Sequence, residues 1–118
     1  MATQHTAPVV IRRWSGGQHP TMANITQKMQ AEGLRPYMWM NMPNHRYAIR
    51  SHGYHKVLYV IDGTLELIFP DSNERTKLRA GDRVDIKAGV RHGTIVGTSG
   101  AKCVEATIGR TRRNRNQR

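Results

Sequence analysis

The chain has 118 residues, 37% of them hydrophobic, and a formal net charge of +11. That length supports one hydrophobic core and is too short for two. The negative mean hydropathy, with no run near the roughly 18 apolar residues that span a bilayer, excludes a helical membrane protein, and the single cysteine, Cys103, excludes an intrachain disulfide.

Residues 1–20 carry no periodic signal and read as an irregular N-terminal segment. The opening residues lack the charged-then-apolar layout of a signal peptide. Together with the lone thiol this makes the cytoplasm the expected location. A short helix is predicted over 22–32. Thr21 is placed to cap it, and Met22, Ile25 and Met29 fall at i, i+3 and i+7 on one face. Gly33 follows where a left-handed residue closes a helix, and Leu34 can fold back onto Met29. The helix should cover an open face of the elements that follow it.

From Tyr37 onward the pattern is one of short strands bounded by turn residues. The expected strands cover 37–42, 45–51, 56–61, 64–69, 74–78, 83–86, 92–96 and 101–108. Asp62-Gly63 reads as a tight hairpin between the third and fourth of these. Eight short strands without an internal repeat predict an all-β sandwich or small barrel spanning 21–109 with its leading helix.

The charge is unevenly spread. Arg110, Arg112, Arg113, Arg115 and Arg118 crowd the last nine residues, and without them the net charge falls from +11 to +6. Residues 110–118 have no apolar side chain to bury, so they read as a solvated, disordered basic tail. The other reading is a nucleic-acid arm carried by Arg110, Arg112, Arg113 and Arg115.

Chemistry concentrates in two stretches. In the first, Arg50, His52 and His55 stand immediately before the buried-looking run Lys56-Val-Leu-Tyr-Val-Ile-Asp-Gly63. Alternation places Arg46, Ala48, Arg50 and His52 on one strand face, with Tyr47 and Ile49 on the other. Lys56 must either reach the rim of the core or point into a polar cavity mouth. The second stretch is Gly81-Asp-Arg-Val-Asp-Ile-Lys-Ala-Gly-Val-Arg-His92.

These two stretches resemble the paired motifs of the cupin superfamily. Gly63 matches the glycine that ends the first motif, and His52 its second histidine. Arg50 stands where that motif has its first histidine, and Lys56 where it has a glutamate. Gly81, Gly89 and His92 match the second motif, while Lys87 and Val96 replace its proline and asparagine. The resemblance implies a double-stranded β-helix, or jelly-roll barrel, with a ligand or metal held inside, and pairing of subunits into a homodimer.

In many cupins the motif histidines and the glutamate bind one divalent transition ion. Here His52 and His92 remain, and His55 is the residue that can replace the lost ligands if the loop before it bulges. A His52–His55–His92 site for Zn, Ni, Fe or Mn implies a metal-dependent oxygenase or isomerase acting on a small polar molecule. The alternative is a metal-free, non-catalytic cavity that captures a small anionic metabolite, with Arg50, Lys56 and Met40 as the ligand-binding residues. A third reading is a nucleic-acid-associated protein that uses its tail. Glu66 and Glu105 supply a cavity carboxylate only if they face inward. Tyr37, Met38, Trp39, Met40 and Met42 are expected to serve core and interface, and Cys103 to act as a buried small hydrophobe.

Overall fold

The computed structural model describes residues 7–109. The Arg-rich tail therefore lies outside the described residues. The elements are β1 (Val9–Arg12), α1 (Met22–Ala31), β2 (Tyr37–Asn41), β3 (Arg46–Arg50), β4 (His55–Phe69), β5 (Glu74–Leu78), β6 (Arg83–Ile86) and β7 (His92–Ile108). None of the described helices is long and apolar enough to cross a membrane.

Two long strands organise the barrel. β4 and β7 run antiparallel along their length, from His55 opposite Ile108 to Ile68 opposite Gly93. The first half of β4 is also bonded to β6, and its second half to β5. β7 likewise pairs with β3 in its first half and β2 in its second. Two layers thus share the same two strands, with the bend in the middle of each.

The bend replaces the expected hairpin. Asp62-Gly63 does not reverse the chain, and β4 continues through it with register shifts between Val60 and Asp62 and between Gly63 and Leu65. These bulges change the side-chain parity. Leu58 and Val60 face the core before the bend, and Leu65, Leu67 and Phe69 face it afterwards. Gly63 takes φ 80° and Gly100, across the ladder, φ 79°. A Cβ on Gly63 would stand 2.0 Å from the Gly100 carbonyl oxygen. Likewise 97–100 is a corner within β7 rather than a break, so the eight expected strands become six, and β1, which the sequence does not announce, makes seven among the described residues.

Two apolar clusters result. The barrel interior joins Leu58, Val60, Leu65, Leu67, Leu78, Val84, Ile86, Val96 and Cys103. The Cys103 thiol is pushed up to about 12 by burial, which leaves it an inert, space-filling group. On the outer face, Val57, Tyr59, Ile61, Val104 and Ala106 are covered by Ile25 and Met29 of α1, both fully buried. Burying each such side chain is worth about 1.5–3 kcal/mol. The helix is delimited as its sequence predicts. Thr21 accepts a hydrogen bond from the Asn24 amide at 3.1 Å, Gly33 is left-handed at φ 83°, and the Leu34 amide donates to the Met29 carbonyl at 3.0 Å.

The N-terminal segment is more ordered than its sequence suggests. Val9–Arg12 forms an edge strand against β6. Beyond it Trp14 lies on Gly81, leaving no room there for a Cβ. Asp82 ties this region together, accepting from the Trp14 and Arg79 amides, each at 2.9 Å, and from Arg13 at 2.9 Å. Burial alone would raise its carboxyl pKa, but these donors hold it below the ordinary range.

Candidate functional site

One end of the barrel opens into a cavity of about 400 Å³. Its apolar wall comes from Leu58, Leu65, Leu67, Val84 and Ile86, whose alternation on β4 and β6 turns them inward. The polar part of the lining draws on Arg50, His52, Lys56, His92, Thr94 and Glu105, together with Tyr37, Trp39, Tyr47 and Tyr54. Arg50 is exposed at the mouth, whereas the Lys56 side chain is only 17% exposed.

Glu105 is the buried anchor of that wall. Its neighbours Cys103 and Ala101 also face inward on β7, which settles the parity left open by the sequence. The carboxylate accepts from Tyr37 Oη at 2.9 Å and Trp39 Nε1 at 3.0 Å, and Lys56 Nζ lies 3.6 Å away. Glu66, by contrast, faces outward and pairs with Arg75 at 3.5 Å. Tyr47 is a cavity residue that alternation misses. The ladder of β3 shifts register between Tyr47 and Arg50, so both reach the same cavity. Its hydroxyl donates to the Asn41 side-chain oxygen, and its ring meets Trp39 edge-on at 6.1 Å.

The two motif histidines come together. Their ring centroids are 5.5 Å apart, and His52 stacks on Tyr54 at 4.9 Å. His92 Nδ1 donates to the Val90 carbonyl at 3.0 Å, which fixes the tautomer and leaves the Nε2 lone pair unprotonated. Burial is the main force lowering the pKa of both imidazoles below the ordinary 6.5, reinforced at each by Lys56 and Arg50. Both rings are therefore neutral at pH 7.

This has a consequence for stability. The unfolded chain protonates these rings near 6.5 while the fold resists the proton, so the unfolded state binds more protons just below that pH. Stability should be intact above pH 6.5, fall as the pH drops from 6.5 towards the lowered folded values, and level off beneath them. His52→Gln should flatten part of that decline, as read from denaturant midpoints across the pH range.

His55 does not join the pair. β4 is regular from His55 to Val60 against β7, so no bulge turns the ring inward. It shares the outer face with Val57 and Tyr59, and its Nε2 lies 3.5 Å from Asp85. Asp85 in turn accepts from the buried Arg83, which also holds Glu32 at the end of α1. His55 thus belongs to a network that fastens the helix to the sheet. Met40 reaches the cavity only at its rim and is 68% exposed, and Met38 and Met42 are also exposed rather than core.

A three-histidine centre is therefore not assembled. Among the described residues no three His, Cys, Asp or Glu side chains are grouped to hold a metal ion. The cavity's one buried carboxylate is engaged by Tyr37, Trp39 and Lys56. Two imidazoles beside an ammonium and a guanidinium fall short of the ligand set a divalent cation needs.

Comparisons with known proteins agree with this architecture. A family model described as the cupin domain matches residues 38–106. A DUF861 family protein from Thermotoga maritima superposes with a TM-score of 0.56 at 15% identity, over 85% of this chain and 99% of that one. KdgF from a Halomonas species gives 0.59 at 16% identity, over 69% and 73%. The polyketide cyclase RemF from Streptomyces resistomycificus gives 0.57 at 17% identity, over 86% and 66%. Curated proteins gave no match. With seven strands among the described residues folded into two layers, and the family's domain matched over more than half of this chain, the chain belongs to the cupin family.

Proposed function

We propose that the barrel binds a small anionic molecule with an apolar body, and that it does so through side-chain cations rather than a resident metal. The observation that carries this reading is the convergence of the Arg50 and Lys56 cations with the His52 and His92 rings in a cavity also lined by Leu58, Leu65, Leu67, Val84 and Ile86. Arg50 at the mouth offers a planar fork to a carboxylate or phosphate. Lys56, fixed by Glu105, offers a second positive group deeper inside. The volume of about 400 Å³ suits a compact metabolite.

The metal-dependent reading needs a third ligand that His55 does not provide, because its ring lies on the outer face of β4. The catalytic alternative that survives is proton transfer by the neutral His92 Nε2. It draws support from the fixed tautomer of that ring.

Benzoate is a suitable probe, since it joins one carboxylate to one apolar ring. In calorimetric titration it should bind saturably, and tighter as the pH falls below 6.5, because protonating His52 and His92 adds positive charge to the cavity. Arg50→Ala should weaken it roughly tenfold, the loss of one charge-assisted contact. Affinity unchanged by pH and by Arg50→Ala would place the anion elsewhere.

A further inference from the structure

The cavity is lined by two of the chain's cations, Arg50 and Lys56, yet the chain carries 19 lysines and arginines against 8 acidic residues. Part of that excess is arranged. β5 is an edge strand, hydrogen-bonded to β4 alone. Along it and just past its end, Arg75, Lys77 and Arg79 are exposed, while the intervening Thr76 and Leu78 turn inward. Alternation therefore produces a row of cations about 6.6 Å apart, set by the strand rise.

The row lines an open groove of about 630 Å³, completed by Arg13, Trp14, Ala80 and Asp82. Arg13 is fixed there by donating to the Lys77 carbonyl at 2.7 Å and to Asp82 at 2.9 Å, with 57% of its side chain exposed. Asp82 is the groove's only acid, and its carboxylate is buried and consumed by internal donors. Glu66 stands across the ladder from Lys77 and meets Arg75 at 3.5 Å, so it offsets part of the row, while among the described residues no carboxylate lies within ion-pair distance of Lys77 or Arg79.

We propose that this groove binds the phosphodiester backbone of single-stranded nucleic acid. An extended polyanion laid along an edge strand meets successive cations, whereas a rigid duplex touches a short straight row only at a tangent. The site is separate from the barrel cavity, which shares none of its lining residues.

The test is fluorescence anisotropy with labelled oligothymidylate and oligouridylate across a salt series, using the full chain. Wild type should bind with a steep salt dependence. Arg75→Ala, Lys77→Ala and Arg79→Ala combined should make the slope of log affinity against log salt shallower by about 2, at roughly 0.7 per lost contact on a single strand. The charge-preserving Arg75→Lys with Arg79→Lys should keep the wild-type slope. All five substitutions lie at exposed positions, and unchanged thermal unfolding will confirm the fold. The proposal is overturned if wild type fails to bind, if the triple variant keeps the wild-type slope so that the tail alone carries affinity, or if a duplex of the same length binds as tightly.

Discussion

Gly63→Ala should cost the barrel about 4 kcal/mol or more, among the largest effects a single methyl can have. Two independent penalties meet at this position. A left-handed backbone at φ 80° costs an L-residue roughly 1–2 kcal/mol. The added Cβ would also stand 2.0 Å from a backbone oxygen and 2.9 Å from the Ala101 Cα. Neither neighbour is a flexible side chain that can swing aside. Gly89 provides the control. Its φ is 87° but nothing lies within 4 Å of its Cβ position. Gly89→Ala should therefore lose only the backbone penalty, and the difference between the two denaturation midpoints isolates the close approach of β4 to β7 at the bend. Equal losses would show that the bend is not held by that contact.

Lys56→Met should have two separable effects. It removes the inner cation of the cavity, weakening benzoate binding by roughly 10- to 100-fold, as expected for a charged hydrogen-bonding partner. It also leaves the buried Glu105 carboxylate facing Tyr37 and Trp39 without its counter-charge, which should destabilise the fold by about 3 kcal/mol or more. Adding Glu105→Gln removes the orphaned charge, with its one amide oxygen left to accept from Trp39 Nε1 and its NH2 group to donate to the Tyr37 hydroxyl oxygen. The double variant should regain stability without regaining benzoate. Recovery of both would mean that Lys56 acts only through Glu105. Recovery of neither would mean that the pair is not the unit described.

How much of this the sequence discloses depends on what each residue must do. The helix was fully legible because cap, stripe and closing glycine are local devices, and each is in place at Thr21, at Ile25 with Met29, and at Gly33. The bend was misread for a physical reason. Asp-Gly announces a positive φ, and a hairpin and a bulged corner need that conformation equally. β1 escaped notice because four residues on a sheet edge give too little alternation to recognise.

In the site, the placement of Arg50, His52, Lys56 and His92 could be read from the motifs, since strand ends fix them. Tyr47 was hidden by the register shift that brings it beside Arg50. Glu105 was ambiguous because parity along β7 cannot be carried across the corner at 97–100 without knowing how the chain bends there. Alternation alone assigns His55 to the outer face, and the bulge needed to turn it inward is absent from that part of β4.

The departures from the family's pattern at Arg50 and Lys56 have a common result. They replace neutral or anionic metal ligands by cations, and Glu105 balances one of them from the neighbouring strand. What the barrel retains is a cavity lined by both aliphatic side chains and the two cations Arg50 and Lys56.

The most direct measurement is a calorimetric titration of benzoate into protein stripped with a chelator, repeated after adding back Zn, Ni, Fe or Mn. A cavity built on Arg50 and Lys56 binds benzoate one to one in the stripped protein, with the affinity unchanged by any of the four ions. Binding that vanishes on chelation and returns with a stoichiometric divalent metal would contradict the account.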